Sequence, residues 1–184
     1  MTRTHAIALN ALALYGVALV LAAAFAAQLL LHELPCPLCL LQRILFALLA
    51  VGPILNVRFG PRPSHYALSL LTAIAGAVVS TRQILLHILP GDAGYGSALL
   101  GYHYYTWALI GFVVAIVLLA GILLFDRQFD DRAPQSSPAH AFAQAAVWLV
   151  IGLTTLNVIS TLLECGFRAC ADNPIVYELL NRAI

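Results

Sequence analysis

The residues best suited to chemistry are four cysteines, which form two close pairs near opposite ends of a 184-residue chain. Cys36 and Cys39 enclose a Pro-Leu dipeptide, and Cys165 and Cys170 enclose a four-residue segment. An even number of paired cysteines is typical of thiol–disulfide chemistry, although the sequence leaves their connectivity open. We therefore predict that all four cysteines are catalytic.

The first pair has the spacing of a redox-active motif at the start of a helix. Pro37 is tolerated in a first helical turn, where the backbone amides lack helical partners. Those amides and the helix dipole favour a thiolate, the attacking species in disulfide exchange. A structural disulfide is the alternative, but so small a ring gives little entropic stabilisation. A zinc site of four thiolates is disfavoured in an oxidising compartment, so we predict no metal.

Arg43 lies four residues after Cys39, one helical turn deeper on the same face. An arginine at the centre of a spanning helix costs about 2.5–3.5 kcal/mol, and less near the interface. An anionic sulfur, or a polar electron acceptor held beside it, would offset that cost. The alternative is a side chain that extends to the lipid headgroups. We predict that Arg43 belongs to the site.

The second pair, Cys165 and Cys170, has wider spacing and a flexible connection. Gly166 allows the loop to bend, and Arg168 favours a thiolate nearby. A mobile pair at the lipid surface suits delivery of a disulfide to a protein in solution. The alternative is a staple that closes the end of the preceding helix.

The composition indicates that these cysteines are positioned by membrane helices. Hydrophobic residues make up 62% of the chain and charged residues only 9%, with a mean hydropathy of +0.93. Soluble domains have roughly 25% charged residues, so lipid is the natural solvent for this chain. The net charge is +1 and no lysine occurs, which excludes the basic stripe of a nucleic-acid-binding protein.

Five apolar segments are long enough, or nearly so, to span a bilayer. They cover residues 7–31, 40–57, 66–89, 104–125 and 142–163. We predict an all-α membrane protein with an antiparallel four-helix transmembrane bundle, a fifth transmembrane helix peripheral to it, and a short interfacial C-terminal helix. The whole chain, 1–184, would form one integral membrane domain. The first segment is too long for the hydrophobic region of a cleaved signal peptide.

The outer tail, residues 164–184, is predicted to lie on the membrane surface. Asn173 can cap a helix with Pro174 at its first position, and apolar residues up to Ile184 would share one face. A frayed terminus is the alternative.

Basic residues in the short connections predict the orientation. Five arginines fall on one side of the membrane: Arg3, Arg58, Arg62, Arg127 and Arg132. Arg168 and Arg182 in the tail weaken this bias without reversing it. The positive-inside rule then places the N-terminus in the cytoplasm and the tail outside. Because five spans are an odd number, both cysteine pairs lie on the outer, oxidising side.

The segment Cys36-Pro37-Leu38-Cys39-Leu40-Leu41-Gln42-Arg43 resembles the disulfide bond formation protein B (DsbB) family. Looser similarity extends through the Arg82–His87 segment and the Gly94–Gly96 loop, so that it covers about the first 125 residues. Members are bacterial inner-membrane proteins that reoxidise a soluble thioredoxin-fold thiol oxidase and pass the electrons to a membrane quinone. The resemblance implies an integral protein of that bilayer with its cysteines in the periplasm.

The resemblance also implies roles for individual residues. Cys36 and Cys39 would be the quinone-facing pair, with Arg43 holding the quinone near Cys39. We expect ubiquinone, with menaquinone as the alternative. In the best-known members the second pair lies between helices three and four, where this chain has no cysteine. Cys165 and Cys170 replace it after an additional helix, as in five-helix relatives.

The resemblance therefore predicts a thiol:quinone oxidoreductase. It would oxidise a periplasmic DsbA-like thioredoxin-fold partner and reduce the membrane quinone pool. His87 is a further candidate for quinone binding or protonation, with a neutral histidine in an interfacial hydrogen bond as the alternative. A vitamin-K-epoxide-reductase-like quinone reductase is a second reading, but there the quinone-facing pair comes late in the chain. A transport or scaffold protein is a third, although no broken-helix substrate site is evident.

Overall fold

The computed structural model describes residues 1–129 and 138–181 and places five apolar helical spans in them. The helices are α1 (Arg3–Leu30), α2 (Pro37–Leu49), α3 (Val51–Phe59), α4 (Pro63–Leu86), α5 (Tyr104–Leu123), α6 (Pro138–Cys165) and α7 (Glu178–Asn181). A hairpin of β1 (Ala98–Leu99) and β2 (Tyr102–His103) precedes α5, and a 3₁₀ turn (Asp126–Phe129) follows it. The chain is a multi-pass, all-α membrane protein, which confirms the predicted class.

The second span consists of two helices, α2 and α3, that meet at Ala50. Pro53 has no N–H to donate to the carbonyl of Leu49, and its ring clashes with that carbonyl in a regular helix. The Leu49 carbonyl instead accepts a hydrogen bond of 2.8 Å from Ser69 Oγ on α4. A Cβ on Gly52 would collide with the same serine, so glycine permits the close contact between α3 and α4.

The helices pack as neighbouring pairs around a shared core. Helix α4 packs on α5, α1 packs on α6, and α2 and α3 lie between α1 and α4. Phe46 and Phe112 stack at the centre with ring centroids 4.0 Å apart. Large apolar side chains such as Leu19 and Val117 remain exposed, as expected for a surface that faces lipid.

The expectation that the fifth span is peripheral to the bundle is wrong. Helix α6 packs along α1, and four of its side chains are buried in the common core: Ala143, Ala146, Val147 and Val150. Alanines on both helices, including Ala11 and Ala18 of α1, allow the backbones to approach closely.

A buried polar cluster fixes the end of the bundle opposite the cysteines. Tyr66 Oη accepts a hydrogen bond of 2.8 Å from Asn10 Nδ2 and donates one of 2.9 Å to Gln128 Oε1. Asn56 Nδ2 donates to Asn10 Oδ1 at 2.9 Å. These bonds join α1, α3, α4 and the 3₁₀ turn, and they satisfy polar groups that would be costly in lipid.

The predicted C-terminal helix is shorter than expected. Asn173 and Pro174 do not begin a helix, and α7 starts only at Glu178. The tail bends back so that Leu179 lies near Gly166, and Tyr177 reaches Gln28 of α1. Those contacts hold the preceding segment away from helical geometry. Arg132, Arg182 and Ile184 lie outside the described residues.

Candidate redox site

The first cysteine pair lies at the head of α2, where the sequence predicts it. Cys36 is the N-cap residue, and its Sγ accepts a hydrogen bond of 3.1 Å from the backbone N–H of Cys39. Pro37 occupies the first helical turn. The two cysteines form a disulfide with a Cα–Cα distance of 5.0 Å. Cys36 is buried and Cys39 half-buried, so Cys39 is the more accessible sulfur.

Gln83 of α4 contacts both sulfurs of this disulfide. Its Nε2 lies 3.3 Å from Cys36 Sγ and 3.4 Å from Cys39 Sγ. Gln42 Nε2 donates to Gln83 Oε1 at 2.9 Å, and this bond directs the Gln83 amide N–H groups toward the sulfurs. Gln83 is not among the site residues predicted from the sequence. A useful signal was present, because an uncompensated amide inside a spanning helix is costly.

Arg43 is held by oxygen atoms of α1 and α6. Nη1 donates to Gln28 Oε1 at 2.6 Å and to Asn157 Oδ1 at 3.3 Å, and Nη2 donates to the Ala24 carbonyl at 2.9 Å. These bonds offset the cost of the charge, whereas the sequence predicted that an anionic sulfur or a bound electron acceptor would do so. They also keep the guanidinium inside the protein, which argues against its extending to the headgroups.

Gln28 connects the Arg43 region to the C-terminal part of the chain. It accepts from Arg43 through Oε1, while its Nε2 donates to Ser160 Oγ at 2.8 Å and to Tyr177 Oη at 2.9 Å. Gln28 is buried at the end of α1 that leads to Cys36. One amide therefore joins α1, α2, α6 and the tail at the cysteine-bearing end of the bundle.

The second cysteine pair lies at this same end of the bundle, with Cys165 as the last residue of α6 and Cys170 in the segment that follows. Gly166 adopts a positive φ of 65° and donates its N–H to the Leu162 carbonyl at 2.8 Å, which ends the helix. Cys165 and Cys170 form a disulfide with a Cα–Cα distance of 4.6 Å. Cys165 is buried, whereas Cys170 is half-buried.

A cavity of about 280 Å³ adjoins this second disulfide. Its lining includes Glu164, Cys165 and Arg168 from the end of α6 and the following turn, and Pro174 and Glu178 from the tail. Of the two cysteines in this disulfide, Cys165 contributes to the lining of the cavity.

The loop before α2 is tied to the loop after α4. Tyr95 Oη donates to the Leu34 carbonyl at 2.6 Å, and the Ser97 N–H donates to the Glu33 carboxylate at 3.0 Å. Burial raises the pKa of Tyr95, and the nearby carboxylates of Glu164 and Glu33 raise it further. These contacts hold the segment leading to Cys36 against the loop after α4.

His87 ends α4 and points to the following loop. Its Nδ1 lies 3.1 Å from Asp92 Oδ1, and its ring stacks on Tyr105. The Gly94 N–H and the His87 ring hold the pKa of the exposed Asp92 carboxyl below its usual range. The structure thus gives His87 an interfacial hydrogen bond, which was the alternative to quinone binding. Contact between His87 and a quinone stays a prediction. Among the described residues, no group of three or more potential ligands is arranged to hold a metal ion.

Comparison with known proteins identifies similar sequences for the first half of the chain. The family model for "Disulfide bond formation protein DsbB" matches residues 6–97. "Disulfide bond formation protein B 2" of Burkholderia lata is 45% identical over 65 residues, which are 35% of this chain and 39% of that protein. "Disulfide bond formation protein B" of Xanthomonas axonopodis pv. citri is 40% identical over 77 residues, which are 39% and 45% of the two chains.

The family model covers half of this chain. The chain spans less than half of the length of either relative. No solved structure gives a significant match.

Proposed function

The chain belongs to the disulfide bond formation protein DsbB family, and we propose that it is a thiol:quinone oxidoreductase. It would oxidise a reduced periplasmic thioredoxin-fold protein, such as a DsbA-like thiol oxidase, and pass the electrons to a membrane quinone. The observation that carries this proposal is the placement of two disulfides at one end of the bundle, one of them at the head of a helix that buries an arginine one turn further on.

The donors of Arg43 fit a quinone carbonyl. A guanidinium has five N–H groups, and the described residues accept hydrogen bonds from three of them. The other two N–H groups have no acceptor among the described residues, and we propose that they donate to a quinone oxygen near Cys39. A bound quinone would supply a two-electron oxidant there, and we propose ubiquinone first, with menaquinone as the alternative. His87 would be a second quinone contact only if it left Asp92.

The order of the two couples follows from accessibility. A thiolate of the partner attacks the half-buried Cys170 and releases Cys165. The second partner thiolate then attacks the partner sulfur of this mixed disulfide, which forms the partner's own disulfide and releases Cys170. The resulting dithiol reduces Cys36–Cys39 by intramolecular exchange. Cys39, the more accessible sulfur of that pair, then transfers two electrons beside Arg43 as the Cys36–Cys39 disulfide re-forms. The protein supplies position and charge, and the quinone supplies the redox chemistry.

We propose a location in the bacterial inner membrane, with the N-terminus in the cytoplasm and all four cysteines in the periplasm. Four arginines support this orientation because they lie at the end of the bundle opposite the cysteines: Arg3, Arg58, Arg62 and Arg127.

The decisive experiment separates the two couples in purified protein. Cys36→Ser or Cys39→Ser should abolish quinone-dependent oxidation of both dithiothreitol and a thioredoxin-fold partner. The double variant Cys165→Ser/Cys170→Ser should abolish oxidation of the partner only, because the small dithiol reaches the first couple directly. If Cys36→Ser or Cys39→Ser still oxidises the partner with quinone, the proposal is contradicted.

The role of Arg43 is tested separately with the quinone as the varied substrate. Arg43→Ala should raise the apparent KM for quinone, because the variant lacks the two available N–H donors. Arg62→Ala, at the opposite end of the bundle, is the control and should leave the KM unchanged. A KM that Arg43→Ala does not alter refutes the assigned role.

A further inference from the structure

Glu164 is a buried carboxyl that the proposed electron path does not use. It precedes Cys165 at the end of α6 and is only 2% exposed. Neither of its carboxylate oxygens has a hydrogen-bond partner among the described residues. Buried polar groups are almost always bonded, so an unsatisfied carboxyl requires an explanation. Gln28, Gln42 and Gln83, which are buried at the same end, all have partners.

The surroundings of Glu164 connect the two parts of the proposed site. The Arg43 guanidinium on α2 interacts with it electrostatically, as does Tyr95 in the loop after α4. Arg168 and Glu178 line the cavity that Glu164 shares with Cys165. Tyr177 of the tail also interacts electrostatically with Arg43. Glu164 therefore borders the cavity beside Cys165 and also interacts with the charge of Arg43.

Two opposing influences act on the protonation of this carboxyl. Burial without a hydrogen-bond donor disfavours the charged carboxylate. The nearby guanidinium favours it. A carboxyl in this balance can take up a proton at one stage of a reaction and release it at another.

We propose that Glu164 is a proton carrier between the Cys165–Cys170 couple and the quinone-facing site, an inference that rests on the proposed function. When the Cys165 thiol attacks the first disulfide, its proton moves to the Glu164 carboxylate. A bond forms from Cys165 to Cys36, the Cys36–Cys39 bond breaks, and Cys39 leaves as a thiolate. Cys170 then displaces Cys36, re-forms the bond to Cys165, and gives its proton to the Cys36 sulfur.

The last step, transfer of electrons and protons to the quinone, needs no further reactant. Closure of the Cys36–Cys39 disulfide releases two electrons to the quinone. One of the two protons required comes from the Cys36 thiol and the other from Glu164. The carboxylate of Glu164 is then restored for the next cycle. Two electrons and two protons have moved from the dithiol to the quinone.

The first test needs no quinone. Purified, quinone-free protein is reduced with dithiothreitol, and an infrared difference spectrum is recorded against the oxidised form. We expect a carboxylic acid C=O band that appears on reduction and shifts in D₂O. Glu164→Gln should remove this band, and Glu178→Gln, a matched change in the same cavity, should retain it. Absence of the band from the unmodified protein overturns the proposal even if the Glu164 variant fails to fold.

The second test measures turnover with quinone and a thioredoxin-fold partner. Loss of positioned proton transfer typically reduces a rate by about 10²–10⁴-fold, so Glu164→Gln should lower kcat by at least about 100-fold. The KM values for both substrates should change little, and Glu164→Asp should recover most of the rate because it restores a carboxyl. Glu178→Gln should resemble the unmodified protein.

The outcomes distinguish this inference from the proposed function. If the unmodified protein does not couple dithiol oxidation to quinone reduction, the proposed function fails. If it does, and Glu164→Gln turns over as fast as Glu178→Gln, only the proton-carrier role fails. An unchanged infrared band in Glu164→Gln also overturns that role.

Discussion

Replacing Gln83 with leucine should make the Cys36–Cys39 couple a weaker oxidant. The Gln83 amide donates to both sulfurs in the oxidised protein. On reduction the same N–H groups would face a thiolate, which accepts much stronger hydrogen bonds than a disulfide sulfur. Gln83 thus stabilises the reduced form more than the oxidised form. Leucine fills a similar volume but removes the donors, so the reduction potential should become more negative.

The magnitude follows from one charge-assisted hydrogen bond. Such a bond contributes about 1.5–3 kcal/mol. For a two-electron couple, about 30 mV corresponds to 1.4 kcal/mol, so the expected shift is about −30 to −65 mV. Gln42→Leu should shift the potential in the same direction by a smaller amount, because Gln83 would retain its donors but lose the bond that orients them.

The assay requires a protein with only the first couple. In a Cys165→Ser/Cys170→Ser background, the protein is equilibrated with dithiothreitol buffers at pH 7, the free thiols are alkylated, and the reduced fraction is read by mass spectrometry. Gln128→Leu is the matched control, since Gln128 is equally buried but lies at the opposite end of the bundle. It should cost stability and leave the potential unchanged.

One result would refute this reasoning. A Gln83→Leu potential within about 10 mV of the parent corresponds to less than about 0.5 kcal/mol of differential stabilisation. The contacts to the sulfurs would then have no bearing on the redox equilibrium. A shift of similar size in Gln128→Leu would also refute it, because the effect would be a general loss of stability.

Three further predictions concern packing and the outer loop. Tyr66→Phe removes one hydrogen bond from each of two buried amide side chains, Asn10 and Gln128, and should lower the free energy of unfolding by about 1–3 kcal/mol, seen as a lower Tm in detergent. Gly76→Ala places a Cβ against the buried ring of Phe112 and should cost about 1–3 kcal/mol, whereas Gly121→Ala, which meets open space, should not destabilise. The depressed pKa of Asp92 means that its contribution to loop stability is full above about pH 4 and is lost as the pH falls through the lowered value. Pepsin cleavage of the loop after α4 should therefore increase with acidification.

Each of these predictions has a contrary outcome. An unchanged Tm in Tyr66→Phe would mean that the buried amides find other partners. Equal Tm values for the Gly76 and Gly121 variants would mean that α4 and α5 can separate without loss. If Asp92→Asn leaves the acid dependence of pepsin cleavage unchanged, another group controls the loop.

The spans were predictable because lipid imposes a strong constraint on the sequence. A helix that crosses a bilayer needs a long apolar run, and all its backbone groups must bond internally. The five runs were therefore evident, with ends that differ from the structure by a few residues. The position of Cys36 at a helix start was also predictable, since Pro37 suits only the first turn of a helix.

The partners of the site residues were not predictable in the same way. Gln83 meets Cys36 across 47 positions of sequence, and Arg43 meets Asn157 across 114. Apolar periodicity does not reveal which helix faces which in a span that is hydrophobic on all sides. The late start of α7 at Glu178 was not predicted for a similar reason, because local signals at Asn173 and Pro174 do not reveal the contact between Tyr177 and the distant residue Gln28.

The bonds that hold Arg43 also bear on how the protein is made. Its guanidinium lies in the second span to be synthesised, while Asn157 belongs to the last. The N-terminal helices are synthesised first. Arg43 therefore enters the bilayer with only its α1 partners, and its bond to Asn157 forms after the final helix has inserted. Oxidising competence should thus appear abruptly, at the end of translation, and chains released before residue 157 should be inert although their first two cysteines are complete.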